Sequence, residues 1–131
     1  MAVKPVEHAG VWLLPEVHDP ASGRIDAKKL ARVLGVKQSQ LARALGVDRR
    51  VLSGKPTLPS IQKRAAKLER AFAVLIDYLG NKASARAWFH SPNSSPDGYT
   101  AWEVCEDASQ FPKGIEAVTN MIERISNKML L

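Results

Sequence analysis

The heptapeptide Leu30–Val36, LARVLGV, returns eleven residues later as Leu41–Val47, LARALGV. A glycine follows the leucine in each copy. A helix ends most cheaply on a glycine, which adopts a left-handed backbone without a Cβ clash. Eleven residues between copies leave room for only about two turns of helix at 3.6 residues per turn. The sequence is therefore committed here to short helices packed on one another. Repeat arrays need three or more stacked units. Two copies read instead as successive helices with a shared packing pattern.

The remainder follows the same period. Asp26 suits the cap of a helix whose apolar positions Ala27, Leu30, Ala31 and Leu34 fall at helical spacing, with Gly35 as its end. A second helix is expected over 38–45, stopped by Gly46, and a third from the cap Asp48 to Gly54. After Pro56 and Pro59, Ser60 is expected to cap a long helix. Ile61, Ala65, Leu68, Phe72, Leu75, Ile76 and Leu79 make its apolar stripe, and Gly80 ends it. A short helix over 82–90 carries Trp88 and Phe89. SPNSSPDG (residues 91–98) is turn chemistry, and Thr100 with Glu103 matches a capping box. A last helix from about Pro112 to Lys128 aligns Ile115, Val118, Ile122 and Ile125. No segment alternates with the period of a strand, so the fold class is all-α.

Charge divides the chain. Residues 24–70 hold 13 Lys/Arg and 3 Asp/Glu, a net of +10, whereas the rest hold 6 and 10, a net of −4. Such a split suits one part that meets a polyanion and another that meets something else. Solvated helix faces are the plain alternative. Residues 1–24 contain three prolines and two glycines, which argues against a long helix and for an arm anchored by Val11, Trp12, Leu13 and Leu14. VWLLP is cut by Pro15 and Glu16 and makes no signal-peptide core. The longest apolar runs fall short of the roughly 20 residues a membrane span needs, so no membrane partner is expected. The single Cys105 builds no disulfide framework, which fits a reducing cytoplasm. His8, His18 and His90 lack metal-ligand spacing, and there is neither a phosphate-binding glycine loop nor a nucleophile elbow. No catalytic residue, metal or cofactor is expected, and the chain is not read as an enzyme.

The second copy of the heptapeptide has the spacing of a helix-turn-helix. Such a motif wants a small residue where the helices cross, a glycine at the turn and an apolar anchor in the second helix. Here these are Ala42, Gly46 and Leu52. That phase points Arg49, Arg50 and Ser53 outward towards base edges. It sets Lys37, Gln38 and Ser39 at the preceding helix N-terminus for phosphate contact, with Lys55 just after. A silent motif used only for packing would share the spacing.

KKLARVLGVKQSQLARALGVDRRVLSG, then a long helix, then ARAWFHSPNSSPDGYTAWEV and GIEAVTNMIERI, resembles the Xre/MbcA/ParS antitoxin family over residues 25 to about 127. The specific part is the alanine-arginine-tryptophan helix, the Pro-Asn step and the glycine beyond it: Ala85, Arg86, Trp88, Pro92, Asn93 and Gly98. Glu103, Gly114, Val118 and Arg124 follow in register. Ala101 stands where the family commonly has proline, and EVCED where it has a leucine pair.

The resemblance implies a bacterial type II toxin–antitoxin module. It implies a helix-turn-helix lobe that dimerises and binds operator DNA (25–80) and a small helical toxin-binding domain (81–131); the arm (1–24) lies outside the resemblance. The toxin would be a RES-domain enzyme that consumes NAD⁺ or transfers ADP-ribose from it. The antitoxin would block the entrance to its active site, with operator binding giving autoregulation. Candidate toxin contacts are Trp88, Asn93, Glu103, Glu106 and Arg124, together with the tail residues Lys128, Met129, Leu130 and Leu131. Against these roles, the aromatics and tail would equally fit core packing, Asn93 a turn, and the acids a solvated face. A free-standing dimeric helix-turn-helix regulator is the alternative reading.

Overall fold

The computed structural model describes residues 13–92 and 98–130, the side chains from 128 onward excepted. Among the described residues there are seven α-helices and no strand, only an isolated bridge between His18 and Ile25. The helices are α1 (Ala27–Leu34), α2 (Gln38–Leu45), α3 (Arg49–Gly54), α4 (Gln62–Leu79), α5 (Lys82–Phe89), α6 (Ala101–Glu106) and α7 (Gly114–Leu130). No helix among the described residues is long and apolar enough to cross a membrane.

Local chemistry sets most of the boundaries. The Asp26 carboxylate accepts from the Lys28 and Lys29 amides, Asp48 from Arg50, and Asn81 from Ser84. Each bond satisfies a backbone donor that the first turn leaves unpaired. Thr100 and Glu103 form the reciprocal capping box, at 3.0 and 2.8 Å. Gly35, Gly46 and Gly80 end α1, α2 and α4 with φ of 74°, 75° and 98°.

Ser60 does not cap α4. It lies in a 3-10 turn, Pro59–Ile61, which leads into the helix, and Ile61 makes no side-chain cap. Pro59 presets the φ that this turn needs. The Gln62 side chain instead pairs with the Ile25 backbone, accepting from its amide at 2.8 Å and donating to its carbonyl at 3.0 Å. The last helix starts at Gly114, not Pro112. Here α7 passes so close to α6 that a Cβ on Gly114 would overlap the Val104 carbonyl.

Buried side chains from Leu14 to Ile122 form one connected core. Ile61, Ala65, Leu68, Phe72 and Leu75 of the long stripe are buried, and α4 packs most extensively against α7 through Ile115, Val118 and Ile122. Ile76, Leu79 and Ile125, expected in the same stripes, are half-buried. Leu14 and Val17, within the N-terminal arm of the sequence reading, are buried in this core, whereas Leu13 is exposed. Glu69 holds them there. Its buried carboxylate accepts from the Leu14 amide at 2.9 Å and lies 2.8 Å from His18 Nε2. His18 Nδ1 in turn donates to the Gly23 carbonyl at 2.8 Å. A buried carboxylate without such partners would be strongly destabilising.

Candidate nucleic-acid interface

Two short helices and the glycine between them build the most cationic face of the described surface cavities. Lys37 is the N-cap of α2, and its amide donates to the Gln40 side chain at 2.8 Å. Lysine has no acceptor to return the bond, so Gln40 alone closes that end. Ala42 and Leu45 are buried on the inner side of α2, and Leu52 is the buried residue of α3. With Leu52 inward, the 100° step of a helix turns Arg50 and Ser53 outward, and Arg49, in the first turn, is exposed as well.

An open cleft of about 640 Å³ lies along this face, lined by Lys37, Gln38, Ser39, Arg49, Arg50, Ser53 and Gly54. Six of the seven residues expected to face DNA therefore border one cavity, and among the described residues no carboxylate lines it. Lys55 does not line it; as the C-cap of α3 its backbone leaves the helix at φ −136°. Gly54 is the addition. The spacing of four from Arg50 places it on the same outward strip, a signal present in the sequence.

Arg50 is 88% exposed in its side chain, with its Nε 3.6 Å from the exposed Asp48 carboxylate. An exposed pair of that kind contributes at most about 1 kcal/mol, so the guanidinium is easily drawn to a stronger anion. From behind, Arg64 of α4 reaches the end of α2 and donates to the Leu45 carbonyl at 3.3 Å.

The candidate toxin contacts are placed differently. A second open cleft, of about 830 Å³, runs between α2 and α6 and is bordered by Arg43, Trp102, Glu103 and Glu106 among others. Glu106 is engaged within the fold. It accepts from Arg43 Nε at 2.7 Å and from Trp102 Nε1 at 2.8 Å, with Arg43 Nη2 also on the carboxylate. Glu103 closes the capping box. The Ser109 hydroxyl and the Gln110 amide beside Asp107 hold that carboxyl below its ordinary range. The acidic helix is thus neither a bare solvated face nor a row of unengaged charges.

Trp88 is half-buried, edge-on to the buried Phe89 with ring centroids 5.7 Å apart, and does not line that cleft. Arg124 is exposed on α7. Lys128, Met129 and Leu130 lie in the last turn of α7, which runs two residues further than expected. Asn93 and Leu131 lie outside the described residues, as do the side chains of 128–130. Among the described residues, no group of three or more His, Cys, Asp or Glu side chains is close enough to hold a metal ion.

No family model, curated protein or solved structure matches the chain.

Proposed function

We propose that this chain is a DNA-binding antitoxin. Its α2–α3 unit reads operator DNA as a helix-turn-helix, and its C-terminal helices hold a RES-type, NAD⁺-consuming or ADP-ribosylating toxin and block that enzyme's active-site entrance. The antitoxin itself carries out no chemistry and acts as a homodimer in the bacterial cytoplasm. In this reading the helix-turn-helix lobe is joined through α4 to the toxin-binding lobe.

One observation carries the DNA half: Lys37, Gln38, Ser39, Arg49, Arg50 and Ser53 border a single cleft that no carboxylate among the described residues lines. Lysine and the α2 entry residues suit phosphates, and an outward arginine suits a guanine edge. The buried Ala42 and Leu52 and the left-handed Gly46 supply the crossing, anchor and turn that such a unit needs. The toxin half rests on the resemblance of the Trp88–Gly98 and Gly114–Arg124 blocks. The helical course of α7 to Leu130 would present its last turn as a continuous ridge.

The free-standing regulator is favoured by the carboxylates of α6. Glu103 and Glu106 are both satisfied internally, which leaves fewer groups for a basic toxin.

Co-expression separates the two. A RES-domain toxin encoded in the same transcription unit is induced with and without this protein, and growth and intracellular NAD⁺ are followed. The antitoxin restores both, and truncation after Arg124 abolishes the rescue while sparing DNA binding. If no toxin in the transcription unit responds to the protein, the regulator reading replaces the antitoxin. Full rescue by the truncated chain contradicts occlusion by the tail.

A further inference from the structure

We propose that Val51 reads a thymine methyl group in the bound DNA and so sets sequence preference beside Arg49 and Arg50. The inference rests on the DNA-binding reading of the α2–α3 face.

Val51 is 47% exposed, while its neighbour Leu52 is buried. Among the described residues, Leu13 is the one other large apolar side chain that is exposed. Successive helix positions turn by 100°. Measured from the buried Leu52, Ser53 falls on one outward flank of α3, Arg50 near the crest, and Val51 on the other flank, while Arg49, only 60° from Leu52, is exposed at the start of the helix. The outer surface of this six-residue helix thus runs from polar, through cationic, to apolar within one turn.

Folding gives no reason for a valine there. It is largely outside the core, and a β-branched residue is a poorer helix former than alanine, glutamate or lysine. Recognition gives a reason. The major groove presents hydrogen-bonding edges and one apolar group, the C5 methyl of thymine. Valine's isopropyl group is compact and stiff about χ1, so it loses little rotamer freedom on contact. Val51 does not itself line the cationic cleft, but Arg50, one residue before it on the crest, does, and with Arg49 and Lys37 draws the polyanion to this end of the molecule. The occupant that fits both an apolar flank and a cationic crest is therefore a base pair carrying a methyl beside a guanine.

Replacing thymine by uracil removes that methyl and leaves each hydrogen-bonding group in place. The full chain is used to select duplexes from a randomised DNA library, and each thymine of the selected duplex is then replaced singly by uracil. Removing one buried methyl is expected to weaken binding about fourfold at the thymine that Val51 touches. In Val51→Ser, whose exposed position keeps folding out of the comparison, the same replacement has no effect. The inference is overturned if uracil is tolerated at each position, or if its penalty persists undiminished in Val51→Ser. In either case DNA binding itself stands, and Val51 is left for a protein contact. Failure to enrich any duplex rejects the DNA-binding reading, and the role of Val51 with it.

Discussion

Arg86 of α5 closes the end of α1: its Nε donates to the Val33 carbonyl at 2.8 Å, across 53 positions of sequence. His90 adds a bond from Nε2 to the Leu34 carbonyl at 3.2 Å. The last carbonyls of a helix have no partner within it, and a cation there also meets the negative end of the helix dipole. The second heptapeptide ends in the same way, with Arg64 of α4 on the Leu45 carbonyl. The left-handed glycine of each heptapeptide, Gly35 or Gly46, has an arginine laid over it. Arg86 Cδ lies 3.0 Å from where a Cβ on Gly35 would sit, and Arg64 Nη1 2.7 Å from the corresponding point on Gly46.

Arg86→Ala should therefore destabilise the protein by about 1.5–3 kcal/mol, the range for a hydrogen bond from a charged group. Arg86→Lys, which keeps the charge but not the planar fork, should recover only part of it. Urea denaturation checks both. An unchanged midpoint in Arg86→Ala would mean that the α1 end is satisfied by His90 and water alone.

Two glycines only eight residues apart should respond with opposite sign. Gly46→Ala combines a φ of 75° with the crowding of Arg64, and should cost about 1–2 kcal/mol. Gly54 is helical, is not in the left-handed region, and has nothing within 4 Å of a would-be Cβ. Gly54→Ala should raise stability by up to about 1 kcal/mol. Thermal unfolding of the two variants beside the parent gives the signs directly.

Cys105 should be chemically silent in the folded chain. It is buried on α6, and desolvation pushes its thiol up to about 12 from an ordinary value of 9.0. At pH 8 almost none of it is thiolate, the reactive form. Since the chain has one cysteine, labelling with a thiol reagent reports this site alone. Denatured protein should label completely and native protein only as fast as α6 opens. Rapid labelling of native protein would show that α6 is not packed as described.

What the sequence makes legible is local. Glycines and caps mark the ends of α1, α2, α3 and α6, because Asp26, Gly35, Gly46, Asp48 and Thr100 act on backbone groups within a turn of themselves. The residues that line the cationic cleft are partly legible for the same reason. The buried Leu52 fixes the phase of α3, from which the outward directions of Arg50 and Ser53 follow by rotation. Ser60 misleads because a proline before it favours a tighter turn than a capped helix start. Of the N-terminal anchor, Leu14 is buried as expected, Leu13 is not, and Val11 and Trp12 lie outside the described residues. Val17 was not legible as part of the core, nor His18 as a partner of Glu69. The 3-10 turn of three residues has no period, and the group that holds it, Glu69, is 51 residues from His18 and 55 from Leu14. A glutamate between Leu68 and Phe72 on an apolar stripe is an oddity visible in the sequence, but its partners are not. Glu106 is the same case: on a short acidic helix it reads as outward-facing, and its partner Arg43 is 63 residues away.

The most direct measurement is equilibrium binding of the full chain to a duplex covering the DNA upstream of its reading frame, titrated across salt concentrations. A face that neutralises phosphates gives log K falling linearly with log salt. Lys37→Ala should make the slope shallower by about 0.9 if one phosphate contact is lost. Arg49→Ala/Arg50→Ala should abolish the preference for that duplex over an unrelated one. Absence of binding at low salt, or unchanged slope and preference in these variants, would contradict a DNA-reading α2–α3 face.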